Sequence, residues 1–336
     1  MIGDVGGDDR RHIGDEAMLE ANIDALRRLM PEAEITVISR DPAWIKEHYG
    51  VGPTSDFDAA FVSGGGNLTS TWPELLHARI ELLNHAKARG VPAVVVGQTI
   101  GPRLTRSERR QLADALSYAS LVGVRERPSY ELARKLGVTK ERLWYQSDDA
   151  LFLAPPREES GAIAVTIDPQ IRAAGIFDAL RAQLDELSRA TGAPIVIVPH
   201  AWGTEPSDLT ESRLLNLGTI AENLTAAEAA RIAANASLVI STRYHPIVFA
   251  MGAATPAIGI HGDDYCRIKL EGALAHAELE KWALTYRDVR RGKLLKKALE
   301  VWETLEKIRR HLESYQHDWR AEYDARWAAI VRALSA

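Results

Sequence analysis

An arginine and a histidine stand two residues apart where the chain changes from an apolar run to a helical pattern. Arg243 and His245 follow residues 236–240, which predict a buried strand, and lead into the helical pattern of 247–254. Ligands of open α/β sheets bind at the carboxyl ends of strands, where both side chains would lie. A fixed guanidinium beside an imidazole that titrates near neutrality suits a phosphorylated substrate and a proton transfer. The same residues also fit a polar turn with a solvated arginine and a capping histidine.

Two polar residues end strands that are predicted in the first half of the chain. Gln98 follows the apolar run 93–97, and Arg125 ends the run 121–125. The Arg125 guanidinium could hold a phosphate or a carboxylate through two parallel hydrogen bonds, with Gln98 at the same sheet edge. The alternatives are a loop hydrogen bond for Gln98 and an ion pair between Arg125 and Asp148.

A glycine-rich segment follows the strand that is predicted over 59–63. Its residues Gly65, Gly66 and Asn67 let the backbone approach a ligand closely, because glycine lacks a side chain and adopts positive φ freely. The spacing matches neither the Walker phosphate loop nor the dinucleotide-binding fingerprint. A ligand-facing loop and a structural turn both stay open.

Two carboxylates open the first long helix, behind another glycine-rich stretch. Asp15 and Glu16 argue against a phosphate at this loop. They either stabilise the helix N-terminus by their charge or contact the hydroxyls of a sugar. His200 follows the strand predicted over 194–198 and is a further substrate-binding candidate, while the nearby Trp202 either stacks on a sugar ring or belongs to the core.

The bulk composition excludes several classes of protein. The chain has 336 residues and a net charge of −5, so it carries no electrostatic footprint for nucleic acid. Its single cysteine, Cys266, excludes a disulfide framework and a zinc cluster built on cysteines. No apolar run reaches the length of about 18 residues that a membrane span needs, and the N-terminus lacks the apolar core of a signal peptide. We therefore expect a cytoplasmic protein.

Apolar runs alternate with helical patterns along the chain, which predicts parallel sheets covered by helices. Pro155, Pro156 and the charged residues after them mark the domain boundary. We expect an α/β fold of two Rossmann-like domains, 1–154 and 161–315, that face a cleft. A helix over 316–336 follows, with the C-terminal helices crossing back onto the first domain. The predicted strands span 35–39, 59–63, 93–97, 121–125, 142–146, 162–167, 194–198, 238–241 and 257–260, and a capping box at Thr225 opens a helix before 238.

Eight short motifs, taken in chain order, resemble those of the polysaccharide pyruvyl transferase family. They cover about residues 1–275 and begin at Gly14 (Gly-Asp-Glu-Ala), Ser63 (Ser-Gly-Gly-Gly-Asn), Gln98 (Gln-Thr-Ile-Gly-Pro), Val124 (Val-Arg-Glu), Ser129 (Ser-Tyr-Glu-Leu), Asp148 (Asp-Asp-Ala-Leu-Phe-Leu), Ser241 (Ser-Thr-Arg-Tyr-His) and Lys269 (Lys-Leu-Glu-Gly). Two positions depart from the family pattern. His12 stands where the family usually carries asparagine, and Tyr244 takes the middle place of the family's Arg-Leu-His.

The resemblance implies two GT-B-like domains and the transfer of the enolpyruvyl unit of phosphoenolpyruvate to a sugar. The product is a cyclic ketal, phosphate is released, and no metal or other cofactor is implied. In this interpretation Arg125, Arg243 and Lys269 neutralise the phosphate and the carboxylate of the donor. His245 is the general acid or base, and Asp148 orients an arginine or activates a hydroxyl.

The expected partners are phosphoenolpyruvate and a saccharide or lipid-linked saccharide acceptor in the synthesis of cell-envelope polysaccharide. The alternatives are a GT-B glycosyltransferase that uses a nucleotide sugar and a non-catalytic member that only binds glycan. The basic stretch 287–312, followed by Trp319 and Trp327, fits either peripheral contact with the inner face of the membrane or packing onto the first domain. The acceptor sugar, the ketal positions and any assembly into a homo-oligomer stay open.

Overall fold

The chain folds into two compact units. Unit 1 comprises Met1–Gly7, Met18–Asp149 and Asp318–Ala336, and unit 2 comprises Asp8–Ala17 and Ala150–His317. The computed structural model describes all residues except Asp4, Asp8, Asp9, 53–55, 154–156, Glu159 and Ala336. Pro155 and Pro156, which mark the domain boundary predicted from the sequence, therefore lie outside the described residues.

The described residues form short strands and longer helices in alternation. The strands are β1 (Arg11–His12), β2 (Ala60–Val62), β3 (Gly65–Leu68), β4 (Ala93–Ile100), β5 (Leu121–Val124), β6 (Leu143–Tyr145), β7 (Ile163–Thr166), β8 (Ile195–Ile197), β9 (Ala201–Trp202), β10 (Thr219–Ile220), β11 (Leu238–Ser241), β12 (Ala257–His261) and β13 (Ala283–Thr285). The helices are α1 (Ile13–Leu29), α2 (Pro42–Tyr49), α3 (Pro73–Arg89), α4 (Arg106–Tyr118), α5 (Arg127–Lys135), α6 (Gln170–Ala173), α7 (Phe177–Thr191), α8 (Asp208–Leu215), α9 (Ala226–Asn235), α10 (Tyr244–Gly252), α11 (Asp264–Ala275), α12 (Tyr286–Arg290), α13 (Lys293–Trp302) and α14 (Leu305–Leu334).

Unit 1 is built on a parallel sheet with β4 at its centre. The strands follow the order β2, β4, β5 and β6, and β3 pairs with the second half of β4. Strand β4 is buried along its whole length, as expected where helices cover both faces of a parallel sheet. Ile2 adds isolated bridges to Ile38 and to Val62.

Unit 2 contains a parallel sheet of six strands in the order β10, β8, β7, β11, β12 and β13. The central strands β7, β11 and β12 are buried at every residue. A separate antiparallel ribbon pairs β1 with β9, with Arg11 opposite Trp202 and His12 opposite Ala201. The predicted α/β class with two Rossmann-like domains is confirmed.

Local sequence signals explain several of the helix boundaries. The predicted capping box at Thr225 is confirmed, because its hydroxyl accepts the N–H of Glu228 at 3.2 Å and the Glu228 carboxylate accepts the N–H of Thr225 at 2.9 Å. Helix α2 is absent from the sequence-based predictions, although Asp41 caps it by accepting the Trp44 N–H at 2.9 Å. The segment 35–39 was expected to be a strand but contributes only the bridge at Ile38. Ile38 is 40% exposed, so this position offers little burial to hold a regular strand.

The end of α14 belongs to unit 1, as expected for C-terminal helices that return to the first domain. Asp149 accepts hydrogen bonds from Arg326 Nη2 and from Trp327 Nε1. The Trp327 ring stacks on Phe61 with a centroid distance of 6.0 Å. Because Trp327 and Trp319 are both buried, they are unsuited to anchoring the chain at a membrane interface, which favours the packing alternative. Of the helices in the described part of the chain, none has the length and apolar character that a membrane span requires.

Candidate functional site

A tight turn at the end of β11 presents Arg243 at the start of α10. The Ser241 hydroxyl accepts the Arg243 N–H at 2.9 Å and donates to the Arg243 carbonyl at 2.8 Å. Arg243 is the N-cap residue of α10, and its side chain makes no capping hydrogen bond. A guanidinium has no acceptor for the N–H groups of a helix N-terminus, so this side chain is available to bind a carboxylate instead.

Asp208, at the start of α8, holds the Arg243 side chain. Arg243 Nε donates to Asp208 Oδ2 at 3.0 Å, and Nη2 donates to Oδ1 at 2.5 Å. The Asp208 side chain is 0% exposed, whereas that of Arg243 is 28% exposed. Burial lowers the pKa of Arg243, but the charge and hydrogen bonds of Asp208 outweigh it and raise the pKa, so the guanidinium stays charged. Asp208 carries no signal in the sequence, because an acidic residue in the first turn of a helix is commonplace.

His200 completes this group from the segment between β8 and β9. Its backbone N–H donates to Asp208 Oδ2 at 3.2 Å, and its carbonyl accepts the N–H of Ile13 at 2.9 Å. The imidazole is buried, and its Nδ1 has no hydrogen-bond partner among the described residues. Burial lowers the pKa of His200 well below its ordinary value, so the ring is neutral at neutral pH.

His245 lies in the first turn of α10 against the first turn of α1. Its ring is buried, with its centroid 5.0 Å from Tyr244 and 6.0 Å from Phe249. A Cβ atom at position 14 would overlap His245 Nδ1. The absence of a side chain at Gly14 thus lets α1 approach His245. The Gly-Asp-Glu and Arg-Tyr-His motifs are in contact at this point.

The remaining residues of the first loop have different surroundings. Glu16 is buried and accepts two hydrogen bonds from Arg11, at 2.9 Å and 2.7 Å. Arg11 also lies over the Trp202 ring, 4.7 Å from its centroid. Asp15 is partly exposed, and its N–H donates to His12 Nδ1 at 3.3 Å. Of the two predicted sugar contacts, Asp15 is therefore the more accessible, whereas Glu16 is bound within an ion pair.

Lys269 extends from α11 towards Tyr244. Its ammonium lies 4.7 Å from the centroid of the Tyr265 ring and 5.6 Å from that of Tyr244. Cys266, one turn earlier in the same helix, is half-buried, and burial raises its pKa to about 12. Unit 2 thus brings His245 and Lys269 close to the Tyr244 ring, and Arg243 directly precedes Tyr244 at the start of α10.

The candidate residues of unit 1 form a buried polar network. Arg125 donates to Asp148 Oδ2 at 2.6 Å, to Thr99 Oγ1 at 3.1 Å and to Glu126 Oε1 at 3.1 Å. Arg125 and Asp148 are both buried. The ion pair that the sequence analysis named as the alternative is therefore present, and a role for Arg125 in binding the donor stays a prediction.

Gln98 and the glycine-rich segment are also buried within unit 1. Gln98 donates to the Ser63 carbonyl at 2.5 Å, which is the loop hydrogen bond named as its alternative. Gly65, Gly66 and Asn67 lie in β3, and each is buried. A Cβ atom on the preceding residue, Gly64, would lie 2.9 Å from Met18 Sδ and 3.3 Å from the Gly97 carbonyl. At Gly64 the missing side chain thus permits close packing of the chain on itself, and contact of this segment with a ligand stays a prediction.

No group of three or more His, Cys, Asp or Glu side chains in the described ranges could hold a metal ion. In the buried network of unit 1, the Arg125 guanidinium and the carboxylates of Asp148 and Glu126 are paired with one another. In unit 2, the Arg243 side chain is partly exposed and Lys269 is half-buried. An anionic ligand that must take up a proton could therefore bind near the cations Arg243 and Lys269 and the His245 imidazole.

Comparison with solved structures identifies the fold. HepE from Anabaena, solved with UDP-glucose, is 14% identical with a TM-score of 0.63, and the match covers 99% of this chain and 98% of that chain. A putative UDP-N-acetylglucosamine 2-epimerase from Listeria monocytogenes is 12% identical with a TM-score of 0.63, over 93% of this chain and 90% of that chain. The UDP-GlcNAc 2-epimerase of Methanocaldococcus jannaschii is 10% identical with a TM-score of 0.53, over 90% and 92%. At these identities the likeness shows the fold alone, which is GT-B-like.

Comparison of sequences identifies the family. A search of curated proteins gave no match. The family model described as polysaccharide pyruvyl transferase matches residues 12–264, which include both the Gly-Asp-Glu and the Arg-Tyr-His motifs. The chain belongs to the polysaccharide pyruvyl transferase family.

Proposed function

We propose that this chain transfers the enolpyruvyl group of phosphoenolpyruvate to a sugar of a glycan or glycolipid, forms a cyclic ketal and releases phosphate. The observation that carries the proposal is the group formed by Arg243, His245 and Lys269 around the start of α10. It combines two cations with an imidazole. A donor that bears both a phosphate and a carboxylate needs the cations, and ketal formation needs a group that moves protons.

The start of α10 favours an anion for a second reason. The N-cap residue of α10 makes no side-chain capping hydrogen bond, as in α7 and α13, whereas α8, α9, α11 and α12 are capped by Ser207, Thr225, Asp263 and Thr285. The positive end of the α10 dipole adds to the charges of Arg243 and Lys269. The Arg243 Nη1 group makes no hydrogen bond to a described residue and is the donor that we assign to the ligand.

The reaction adds two protons, one to C3 of the enol and one to the departing phosphate oxygen, and removes two, one from each sugar hydroxyl. A proton adds to C3 of the enol, which makes C2 resemble an oxocarbenium ion. A sugar hydroxyl adds to C2 and loses its proton, and the bond from C2 to the phosphate oxygen breaks. A second hydroxyl then adds to C2, loses its proton and closes the ketal. His245 is the residue to which we assign proton transfer, because an imidazole ring can both donate and accept a proton.

The proposed acceptor is a saccharide or lipid-linked saccharide of the cell envelope, and the reaction that we propose uses no metal or nucleotide cofactor. Asp15 is partly exposed and directly follows Gly14, the residue that packs against His245, which suits a contact with a sugar hydroxyl. Turnover that persists in the presence of a chelator would support the absence of a metal requirement. Co-sedimentation with anionic vesicles at low salt tests the peripheral membrane contact.

Binding and product analysis test the proposal. Phosphoenolpyruvate should raise the melting temperature of the protein more than nucleotide sugars do. With an acceptor present, the products should be inorganic phosphate and a pyruvylated saccharide. His245→Ala should lower turnover by about 10²–10⁴-fold, with a much smaller effect on donor binding. The exposed His317 of the same unit supplies the matched control, His317→Ala, which should leave turnover unchanged.

One observation favours a second candidate, a nucleotide-sugar-dependent transferase of the same fold. HepE and the epimerase of M. jannaschii were solved with UDP-glucose and with UDP-GlcNAc and UDP. Binding of UDP-glucose in preference to phosphoenolpyruvate would support this candidate. Binding of glycan without turnover of either donor would indicate a non-catalytic member.

A further inference from the structure

We propose that Asp208 is the positioning residue for the donor site: it fixes the Arg243 guanidinium so that Nη1 faces the ligand. This inference rests on the proposed function, since it assigns Arg243 to the phosphoenolpyruvate anion. Neither the motifs of the sequence nor the family match names Asp208. Its role follows from three hydrogen bonds to one buried carboxylate.

The first two hydrogen bonds fix the orientation of the guanidinium. Asp208 accepts hydrogen bonds from Nε and Nη2 of Arg243. The edge of the guanidinium that carries these two nitrogens is therefore paired with a protein carboxylate. A two-point contact stops rotation of the planar group, and a single contact would not. The nitrogen that is left over, Nη1, can point only along the direction set by Asp208.

The third hydrogen bond fixes the carboxylate itself. Asp208 Oδ2 accepts the His200 N–H at 3.2 Å. Asp208 is also the first residue of α8, where the Ser207 hydroxyl caps the helix by accepting the Thr210 N–H at 3.2 Å. Asp208 is therefore fixed through its main chain and through its side chain. Its carboxylate in turn fixes the position of the Arg243 guanidinium.

The same helix provides an internal comparison. Glu211, one turn after Asp208, is buried and accepts hydrogen bonds from Arg172 Nε at 3.0 Å. The second oxygen of Glu211 lies 3.0 Å from Arg172 Nη2, so the pairing is two-point as well. Arg172, however, is 50% exposed and lies over Phe177, on a helix that carries no candidate residue. Glu211→Gln thus removes an equivalent carboxylate–arginine pair without touching Arg243.

The experiment compares Asp208→Asn with Glu211→Gln in the full-length chain. Phosphoenolpyruvate binding is measured by calorimetry, and the Nε–H signal of Arg243 is followed by ¹⁵N NMR, assigned by its loss in Arg243→Lys. We expect Asp208→Asn to weaken phosphoenolpyruvate binding by about 10- to 100-fold, because a misoriented Nη1 loses a hydrogen bond to the charged ligand, and such a bond is worth about that much. We also expect it to shift or broaden the Arg243 Nε–H signal. Glu211→Gln should change neither quantity.

The two readouts separate the inference from the function on which it rests. If the wild-type protein does not bind phosphoenolpyruvate, the proposed function fails, and the NMR signal alone decides whether Asp208 holds Arg243. If the wild type binds and Asp208→Asn binds equally well, or leaves the Arg243 signal unchanged, the inference is overturned. Should Asp208→Asn fail to fold, Asp208→Glu replaces it. The longer side chain keeps the charge but displaces the guanidinium, so undiminished binding in Asp208→Glu would overturn the inference too.

Discussion

Replacing Gly14 by alanine sets a gain in helix stability against a steric overlap at His245. Gly14 lies in the first turn of α1. Alanine is better than glycine inside a helix by about 1 kcal/mol, so a helix without a close neighbour would become more stable. At this position, however, the added Cβ atom would overlap His245 Nδ1. The His245 ring is buried between Tyr244 and Phe249, so it has little room to move away.

The magnitude follows from the difference between the two effects. Inserting a methyl group into a packed interior typically destabilises a protein by about 1–3 kcal/mol. After subtraction of the helix gain, Gly14→Ala should lower the free energy of unfolding by roughly 0–2 kcal/mol. The effect on turnover should be larger in relative terms, because the overlap displaces the ring to which proton transfer is assigned.

A double-mutant cycle measures this contact directly. We expect Gly14→Ala to reduce turnover by on the order of 10²-fold and to destabilise the protein in urea unfolding. In the His245→Ala background the ring is absent, so Gly14→Ala should become neutral or stabilising there. Gly52→Ala is the control, because within the described part of the chain no atom outside its immediate chain neighbours lies within 4 Å of a Cβ at that position. Purely additive effects of Gly14→Ala and His245→Ala would refute the contact between α1 and α10.

Three further predictions concern charges. Arg243→Lys should weaken phosphoenolpyruvate binding and lower the melting temperature, because lysine cannot make the two-point contact with Asp208; unchanged donor affinity would contradict the assignment. Arg326→Ala leaves Asp149 buried without its cation and should destabilise the protein by about 3–5 kcal/mol in urea unfolding, whereas Arg332→Ala at an exposed position of the same helix should have little effect. The lowered pKa of His200 means that only the unfolded chain takes up this proton below the ordinary value of 6.5, so the free energy of unfolding should fall as the pH drops below that value. His200→Asn should flatten this part of the pH profile, and a profile identical to the wild type would show that another group is responsible.

The sequence predicts the parallel sheets well, because their strands are continuous apolar runs. Strands β4, β7 and β11 each lie where such a run was found. Strand β3 escaped prediction because glycines give no hydrophobic pattern, and its pairing with β4 depends on the close approach of Gly64 to Gly97. That close approach is a property of the packed fold and produces no hydrophobic periodicity in the sequence.

In the candidate site, too, some residues could be identified from local sequence patterns and others only from the fold. Arg243 and His245 could be named from their place at a strand end, which is a local feature. Asp208 could not, since its pairing with Arg243 joins residues that are 35 positions apart. Arg125 shows the converse: its position at a strand end favoured ligand contact, yet its charge is bound by Asp148 and Glu126 in a buried network.

The environment of Cys266 has a practical consequence for labelling chemistry. Maleimides and iodoacetamides react with the thiolate, and burial raises the pKa of Cys266 to about 12, so little of this thiol is ionised at pH 7. The chain has no other cysteine, so the native protein should behave towards these reagents almost as a cysteine-free variant. A fluorophore or spin label could then be attached at a newly introduced surface cysteine without first removing the native one.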